Sequence, residues 1–213
     1  MVRLNMLRSK KGFTLVELAI VLVIIGIILG AVLKGQEMIN SAKVKRLYGQ
    51  QKEIVAAIYT YYDKYGKFPG DDNGTGIATR WNPPTYYAAG NGNGLIDGGV
   101  TGTDAAPGTM FTCAAATASE TCGMWDHLRR SNILSGALDG TNSTNAYGGT
   151  VGVANVVVST LTVNWIGFSR VPSSVAQQLD TQYDDGVATT GSIRALAAYV
   201  AGSDVPILLF FKL

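Results

Sequence analysis

The sequence predicts an α+β fold, in which one long N-terminal α-helix packs on a head built around a small antiparallel β-sheet. Residues 13–33 are apolar apart from one charge, and a helical spacing of apolar residues continues from there to about Tyr65. Segments rich in Val, Thr and Ile follow in the C-terminal part of the chain, between turn residues. A sheet of this kind buries one face by packing against a helix, which is the α+β arrangement.

The charges of the 213-residue chain are few and unevenly placed. Charged residues make up 15% of the sequence, and the net charge is +2. Residues 1–12 hold four basic and no acidic side chains, whereas residues 68–213 hold six basic and eleven acidic side chains. Affinity for nucleic acid depends on basic contacts with phosphates, so the acidic C-terminal part is not expected to bind nucleic acid.

Residues 13–33 form an apolar segment that is long enough to cross a bilayer. As a helix the segment spans ~30 Å, which is the thickness of the hydrocarbon core. The basic residues before it place residues 1–12 in the cytoplasm and the body of the protein outside. A secretory signal peptide, the alternative, has a shorter apolar core that ends at a cleavage site. Here the sequence continues as KGQEMINSAKVKR, which is typical of further helix.

Glu17 is the one charged side chain inside this apolar segment. A carboxylate at that depth costs ~2.5–3.5 kcal/mol on insertion scales, which predicts a partner or a function for it. If the chain is cut after Gly12, Phe13 carries a new α-amino group one helical turn from Glu17. The carboxylate then pairs with that amine or with the amine of a neighbouring subunit. The alternative is a tolerated charge near the membrane interface.

The residues around Glu17 carry a strong family resemblance. They read Lys10-Lys11-Gly12-Phe13-Thr14-Leu15-Val16-Glu17-Leu18. Together with the apolar run to about Leu33, they closely resemble the N-terminal signal of type IV pilins and type II secretion pseudopilins. The resemblance implies that a prepilin peptidase cuts between Gly12 and Phe13 and methylates the new N-terminal Phe13. It also implies that Glu17 guides docking into a growing filament.

The resemblance implies four consecutive parts and a pilin-like head. They are a cytoplasmic leader that is cleaved (1–12), a transmembrane and filament-core helix (13–33), an amphipathic stalk helix (34–66) and a loop-rich head (67–213). The implied location is the bacterial inner membrane, crossed once, and then a periplasmic or extracellular filament. The implied partners are the prepilin peptidase, other copies or related pilin subunits, an inner-membrane assembly platform, and lipid before assembly.

Three functions are compatible with this organisation. The first is a structural subunit of a type IV pilus or of a type II secretion pseudopilus. The second is a minor or tip subunit whose loops bind a surface or a substrate. Major type IV pilins often carry a Pro inside the helix, and none occurs here between Phe13 and Phe68, which favours a pseudopilin-like or minor subunit. The third, a membrane-anchored enzyme, has no catalytic motif in the sequence, so we expect no enzyme.

The stalk helix is predicted from a stripe of apolar residues on one face. The stripe consists of Val44, Leu47, Ile54, Ile58, Tyr61 and Tyr65. Gly66 suits the position after a helix and Pro69 prevents its continuation, so the helix should end at about Tyr65.

The loop-rich stretch after Pro69 contains a candidate calcium site. Asn91, Asn93 and Asp97 with the carbonyl of Leu95 match inner positions of an EF-hand calcium loop, and Gly94 matches its turn. The two end positions of that loop carry no carboxylate. The alternative is a turn in which the Asn side chains bind their own backbone. No cofactor is required by the sequence, and a calcium ion is the one that this pattern suggests.

The two cysteines and the single histidine have structural interpretations. Cys113 and Cys122 are an even pair close in sequence, which outside the cytoplasm predicts a disulfide. A metal site would need more ligands than these two and the distant His127. Asp126, His127 and Ser131 allow a hydrolytic triad to be imagined, but triad members converge in space, and no nucleophile elbow accompanies them.

The strands of the head are predicted from composition and turn signals. Residues 151–171 indicate two strands with polar joints near Asn155 and Asn164. A short helix should run from Pro172 to Leu179, followed by a turn at 184–186. Residues 192–199 fit either a short helix or a strand, and residues 205–211 predict a last strand in the middle of the sheet.

Overall fold

A computed structural model describes residues 12–73, 77, 80–81, 90–97, 107–114 and 119–213. The predicted leader falls outside these residues except for Gly12. The chain divides into two compact units, Met1–Ala42 and Lys43–Leu213. The fold is α+β as predicted, with a long N-terminal helix and a five-stranded antiparallel sheet.

The first unit contains the apolar start of helix α1 (Leu15–Tyr65). Its large apolar side chains are exposed, from Phe13 at 84% to Leu33 at 63%. Among the described residues, α1 is the one helix that is long and apolar enough to cross a membrane. Because exposed apolar surface of this extent is unfavourable in water, this stretch needs lipid or other apolar helices around it.

The part of α1 that belongs to the second unit carries the predicted apolar stripe. Leu47, Ile58 and Tyr61 are completely buried, and Val44 and Ile54 nearly so. The helix ends at Tyr65, where Gly66 adopts the left-handed conformation (φ 70°) and donates its N–H to the carbonyl of Tyr62 at 2.7 Å. This is the helix end that the sequence predicts.

The described part of the head includes a 3₁₀ turn, two longer helices and five strands. A short 3₁₀ turn (Thr109–Phe111) precedes α2 (Glu120–Arg130), and α3 spans Ser173–Tyr183. The strands are β1 (Ser143–Thr144), β2 (Thr150–Val158), β3 (Leu161–Pro172), β4 (Ile193–Ala195) and β5 (Pro206–Lys212). All neighbours are antiparallel in the order β1-β2-β3-β5-β4, so the last strand lies inside the sheet, as predicted.

Two details of the predicted head are wrong. The joint between the first two long strands lies at Ser159 and Thr160, which both have positive φ (46° and 73°), and not near the two asparagines. Asn155 and Asn164 instead face each other across β2 and β3. Helix α3 continues beyond Leu179 to Tyr183. Of the two alternatives for residues 192–199, the strand is right, because β4 lies there.

Both faces of the sheet are covered, so its strands lack a polar outer face. On one face, Val153, Ile166 and Leu209 belong to the core that contains the stripe of α1. On the other face, Trp165 and Phe210 pack with Met110. The segment around Met110 lies so close that a Cβ at Gly167 would be 2.7 Å from Phe111 Cζ. Glycine at this point of β3 thus leaves room for the side chains of Met110 and Phe111.

His127 on α2 is a buried junction between the helices and the loop that follows α1. The backbone N–H of Gly70 donates to its Nδ1 at 2.9 Å, so the neutral ring carries its proton on Nε2. The ring stacks against Tyr61, with 6.0 Å between the centroids. Burial, with Arg80 and Arg130 nearby, lowers the pKa of His127 from 6.5 to about 3.

We predict that His127 makes the head less stable in mild acid. The folded chain keeps the imidazole neutral while the unfolded chain protonates it below pH 6.5, so the free energy of unfolding falls as the pH falls. Between pH 7.5 and pH 5 this group alone should remove about 2 kcal/mol. The measurement is urea unfolding of the detergent-solubilised chain at both pH values, followed by tryptophan fluorescence.

The matched variant is His127→Asn, which offers an acceptor to Gly70 and does not titrate. Its unfolding free energy should be lower overall but should change less with pH than that of the parent chain. Equal pH dependence in the two proteins would contradict this role of His127.

Candidate functional site

The predicted processing point lies in exposed, non-helical backbone just before α1. Gly12, Phe13 and Thr14 precede the first helical residue, and all three are exposed. In the described part of the chain, no atom beyond the two neighbouring residues lies within 4 Å of the position that a Cβ on Gly12 would take. The Gly12–Phe13 peptide bond therefore lies outside the helix.

Glu17 and Thr14 form a capping box at the N-terminus of α1. The backbone N–H and the hydroxyl of Thr14 both donate to Glu17 Oε2 at 2.8 Å. The N–H of Glu17 in turn lies 3.2 Å from Thr14 Oγ1. Reciprocal bonds of this kind satisfy backbone donors that have no partner inside the helix. Sequence reasoning missed this role, although the pattern Thr-x-x-Glu before an apolar run is its signal.

The capping box places the Glu17 carboxylate at the end of α1 that carries the Phe13 nitrogen. Thr14, whose N–H binds Glu17, is covalently next to Phe13. A cut before Phe13 would add a positive charge one residue from this hydrogen bond. The carboxylate is also at the positive end of the helix dipole, which stabilises it there.

The predicted calcium residues lie together in one loop, 90–97. Asn91 Oδ1 accepts the N–H of Asn93 at 2.9 Å, and Asn93 Oδ1 accepts the N–H of Leu95 at 2.8 Å. The amide nitrogens of Asn91 and Asn93 face Asp97 Oδ2, at 3.4 and 3.2 Å. Each Asn thus uses its oxygen for a local turn and its nitrogen for the carboxylate of Asp97.

Asp71 holds this loop from the segment that follows α1. Its carboxylate is buried and accepts the backbone N–H groups of Gly92 at 2.7 Å, Asn93 at 3.0 Å and Gly94 at 2.8 Å. The side chain of the neighbouring Asp72 does not contribute, because it binds the hydroxyl of Tyr61 and the guanidinium of Arg80. The Asp72 carbonyl, however, accepts the N–H of Gly90 at 2.9 Å. Of the two aspartates, only Asp71 brings its carboxylate to the loop.

Glu120, the first residue of α2, holds the loop from the other side. It accepts the N–H of Asn91 at 2.8 Å and the N–H of Asp97 at 3.0 Å. Burial raises the pKa of Glu120 to about 7, against the lowering effect of these two hydrogen bonds. Sequence reasoning missed Glu120, because this residue lies far beyond the loop in the sequence and no motif connects the two.

The donors around these carboxylates favour the turn over the calcium site. A calcium ion needs several oxygen ligands directed at one point. Here the oxygens of Asp71 and Glu120 face backbone N–H groups, and the amide nitrogens of both asparagines face Asp97. As placed, these residues do not fit a calcium ion.

A second group of carboxylates lies at the end of α3. Asp180, Asp184 and Asp185 have oxygen atoms within 4.8 Å of one another. Asp180 accepts the hydroxyl of Tyr199 at 2.7 Å, and Asp184 accepts the N–H of Ile193 at 2.8 Å. These carboxylates also hold loops by hydrogen bonds.

Cys113 and Cys122 form a disulfide, with 5.3 Å between their Cα atoms. The bond joins the segment that covers the outer sheet face to the first turn of α2.

The imagined hydrolytic triad is not assembled. Asp126 pairs with Arg130 at 2.6 Å, and the hydroxyl of Ser131 donates to the carbonyl of Leu128 at 2.9 Å. His127 Nδ1 accepts the N–H of Gly70, as described above.

Comparison with known proteins gives a family match at the N-terminus. Residues 7–33 match the family model described as the prokaryotic N-terminal methylation motif. A fimbrial protein of Neisseria meningitidis serogroup B is 35% identical over 71 residues, which are 33% of this chain and 42% of that protein. The fimbrial protein EcpC of Eikenella corrodens is 29% identical over 124 residues, which are 55% of this chain and 81% of that protein.

No solved structure matches the chain significantly. The matches therefore rest on sequence, and the alignment with the Neisseria protein spans less than half of that protein. The methylation motif includes the exposed Gly12–Phe13 bond, the capping box and the apolar part of α1. Together with the α+β fold, these findings support the predicted resemblance to the type IV pilin superfamily.

Proposed function

We propose that this chain is a filament subunit that is processed by a prepilin peptidase and assembles through α1. The observation that carries the proposal is the exposed apolar surface of α1 between Phe13 and Leu33, directly after an accessible Gly12–Phe13 bond. Before assembly this surface lies in the inner membrane, with residues 1–12 in the cytoplasm. In the filament, the apolar helices of neighbouring copies or related subunits replace the lipid.

Glu17 gives the assembly its register. A carboxylate inside a bundle of apolar helices is costly unless it is paired, and pairing with the Phe13 amine of a neighbour removes that cost. A subunit that docks out of register leaves the charge unpaired. The role is structural and not enzymatic, and the partners are the peptidase, the assembly platform and other subunits.

The names of the relatives support a pilus over a secretion pseudopilus, because both are fimbrial proteins. A minor or tip subunit is the second candidate, and the absence of Pro from α1 favours it. A major subunit dominates material sheared from the cells, whereas a tip subunit is scarce there. Quantifying the chain in sheared filaments separates the two.

We predict that the mature chain begins at a methylated Phe13. The measurement is the intact mass and N-terminal sequence of the protein from membranes and from sheared surface material. Gly12→Val should block cleavage without disturbing the fold, because among the described residues no atom beyond the chain neighbours lies within 4 Å of a Cβ on Gly12. An uncut Met1 start in cells with an active peptidase would remove the basis of the proposal.

We predict that Glu17→Ala is processed normally but enters filaments poorly. The change removes both the capping box and the charge, so the two must be separated by further variants. Glu17→Gln keeps an acceptor for Thr14 and loses the charge, whereas Thr14→Ala weakens the cap, at a cost of about 1 kcal/mol, and keeps the charge.

If the charge gives the register, Glu17→Gln fails to assemble like Glu17→Ala, and Thr14→Ala assembles. The readout is the ratio of sheared to membrane-bound mature chain. Normal incorporation of Glu17→Gln would show that the residue acts only as a helix cap.

We infer that the loop of residues 90–97 is held by hydrogen bonds and does not need calcium. The melting temperature should then differ by less than about 2 °C between EDTA and ~1 mM calcium, since an ion bound far above its dissociation constant adds more than that. Asp97→Asn is the control, because it removes a predicted ligand charge. A calcium-dependent rise in the parent chain that Asp97→Asn abolishes would establish the calcium site.

A further inference from the structure

Two large apolar side chains of α1 lie beyond its membrane-length segment. Met38 and Ile39 are 67% and 58% exposed. Met38 lies five residues after Leu33, which is ~7.5 Å farther along the helix. Lys34 and Glu37 form an ion pair in between, at 2.8 Å. The charged pair marks a polar environment, so lipid alone does not account for Met38 and Ile39.

This part of α1 is also basic. Residues 34–46 hold four basic residues and one acidic residue, a net charge of +3. Arg46 pairs with Glu53 at 2.8 Å, and the Lys43 ammonium lies 5.7 Å from the ring centroid of Tyr147. Lys45 is exposed. The segment therefore presents exposed apolar groups together with an excess of positive charge.

The head carries a surface with the opposite charge. Residues 183–204 hold three Asp and one Arg, a net charge of −2. Between the end of α3 and β4 lies an open groove of about 350 Å³, lined by Val187, Leu196 and Tyr199 among others. Val187 and Leu196 are 49% and 50% exposed. We call this surface, residues 183–204, the acidic groove.

The acidic groove has a fixed shape in the free chain. The carboxylate of Asp184 accepts the N–H groups of Ser192 and Ile193, which ties the end of α3 to β4. Asp180 accepts the hydroxyl of Tyr199, which ties the far side of the groove to α3. A surface that is already ordered loses little conformational freedom when a partner binds.

We propose that residues 34–46 of α1 in one copy dock on the acidic groove of a second copy of this chain. The inference rests on the proposed function, because filament assembly brings copies of the chain together through α1. Met38 and Ile39 cover the exposed Val187 and Leu196, and the basic residues face the Asp side chains. Charge complementarity of this kind selects the partner and its orientation. The contact sets the position of one head relative to the helix of its neighbour.

The test is a cross-link between copies in assembled filaments. The full-length double variant Met38→Cys/Leu196→Cys is produced in cells that assemble the chain, and sheared filaments are oxidised and run on a non-reducing gel. The expected result is a ladder of covalent multimers. The matched control is Met38→Cys/Leu138→Cys, because Leu138 is also 50% exposed but follows α2 and is not part of the acidic groove.

The outcomes separate this inference from the proposed function. If the Met38→Cys/Leu196→Cys variant forms normal filaments but runs as a monomer on the gel, the docking is wrong and the proposed assembly still stands. Equal ladders from both double variants would lead to the same conclusion. The Met38 side chain would then face lipid or another protein. Failure of the unmodified chain to enter any filament would instead refute the proposed function.

Charge reversal is a second measurement that does not depend on cysteines. Lys45→Glu and Asp204→Lys, both at exposed positions, should each lower the sheared fraction by about tenfold, because like charges then meet across the interface. The combined variant should recover most of the loss. Asp63→Lys is the matched control, because Asp63 is an exposed acid on α1 outside the acidic groove. Loss without recovery in the combined variant would contradict the pairing.

Discussion

The structure depends on one constraint, namely that a single helix must be buried in two different ways. Over Val44 to Tyr61, α1 presents an apolar stripe that its own sheet covers. Over Phe13 to Leu33 its apolar side chains point in all directions, and no part of the described chain covers them. A helix that is apolar all round is stable only inside lipid or among other apolar helices. The head therefore folds around one end of a helix whose other end requires an environment that the chain itself does not supply.

Buried carboxylates give the loop-rich head its order. Asp71 and Glu120 bind backbone N–H groups of the loop 90–97, and Asp184 does the same for the start of β4. Loops with many Gly and Asn residues lose much conformational entropy on folding, and backbone donors left without partners would add to that cost. Charged acceptors form stronger hydrogen bonds than neutral ones, which suits them to this task. The acidic character of the head is thus partly structural.

Periodic features of this protein could be predicted from sequence, and features that join distant segments could not. The apolar run and the stripe of α1 follow from local spacing, as does the helix end at Gly66. The disulfide could also be predicted, because its two cysteines are close in sequence. Glu120 joins a loop far before it, which only the fold brings near. The sequence predicted breaks between strands at Asn155 and Asn164, because both residues are polar. Instead, Asn164 lies inside a strand, and its Oδ1 accepts the N–H of Ile96 in the loop at 3.1 Å.

Glu17 shows how a local and an intermolecular role can use the same atoms. Before cleavage, the Glu17 carboxylate caps α1 by binding Thr14. These hydrogen bonds offset the cost of a charge in an apolar segment, and they need no other subunit. Cleavage before Phe13 would place an ammonium group beside this cap, and a neighbouring subunit would bring a second one. Since one carboxylate accepts several hydrogen bonds, the cap and an ammonium can both be bound. The cap then fixes the position of the charge, and the fixed charge is what makes a register error costly.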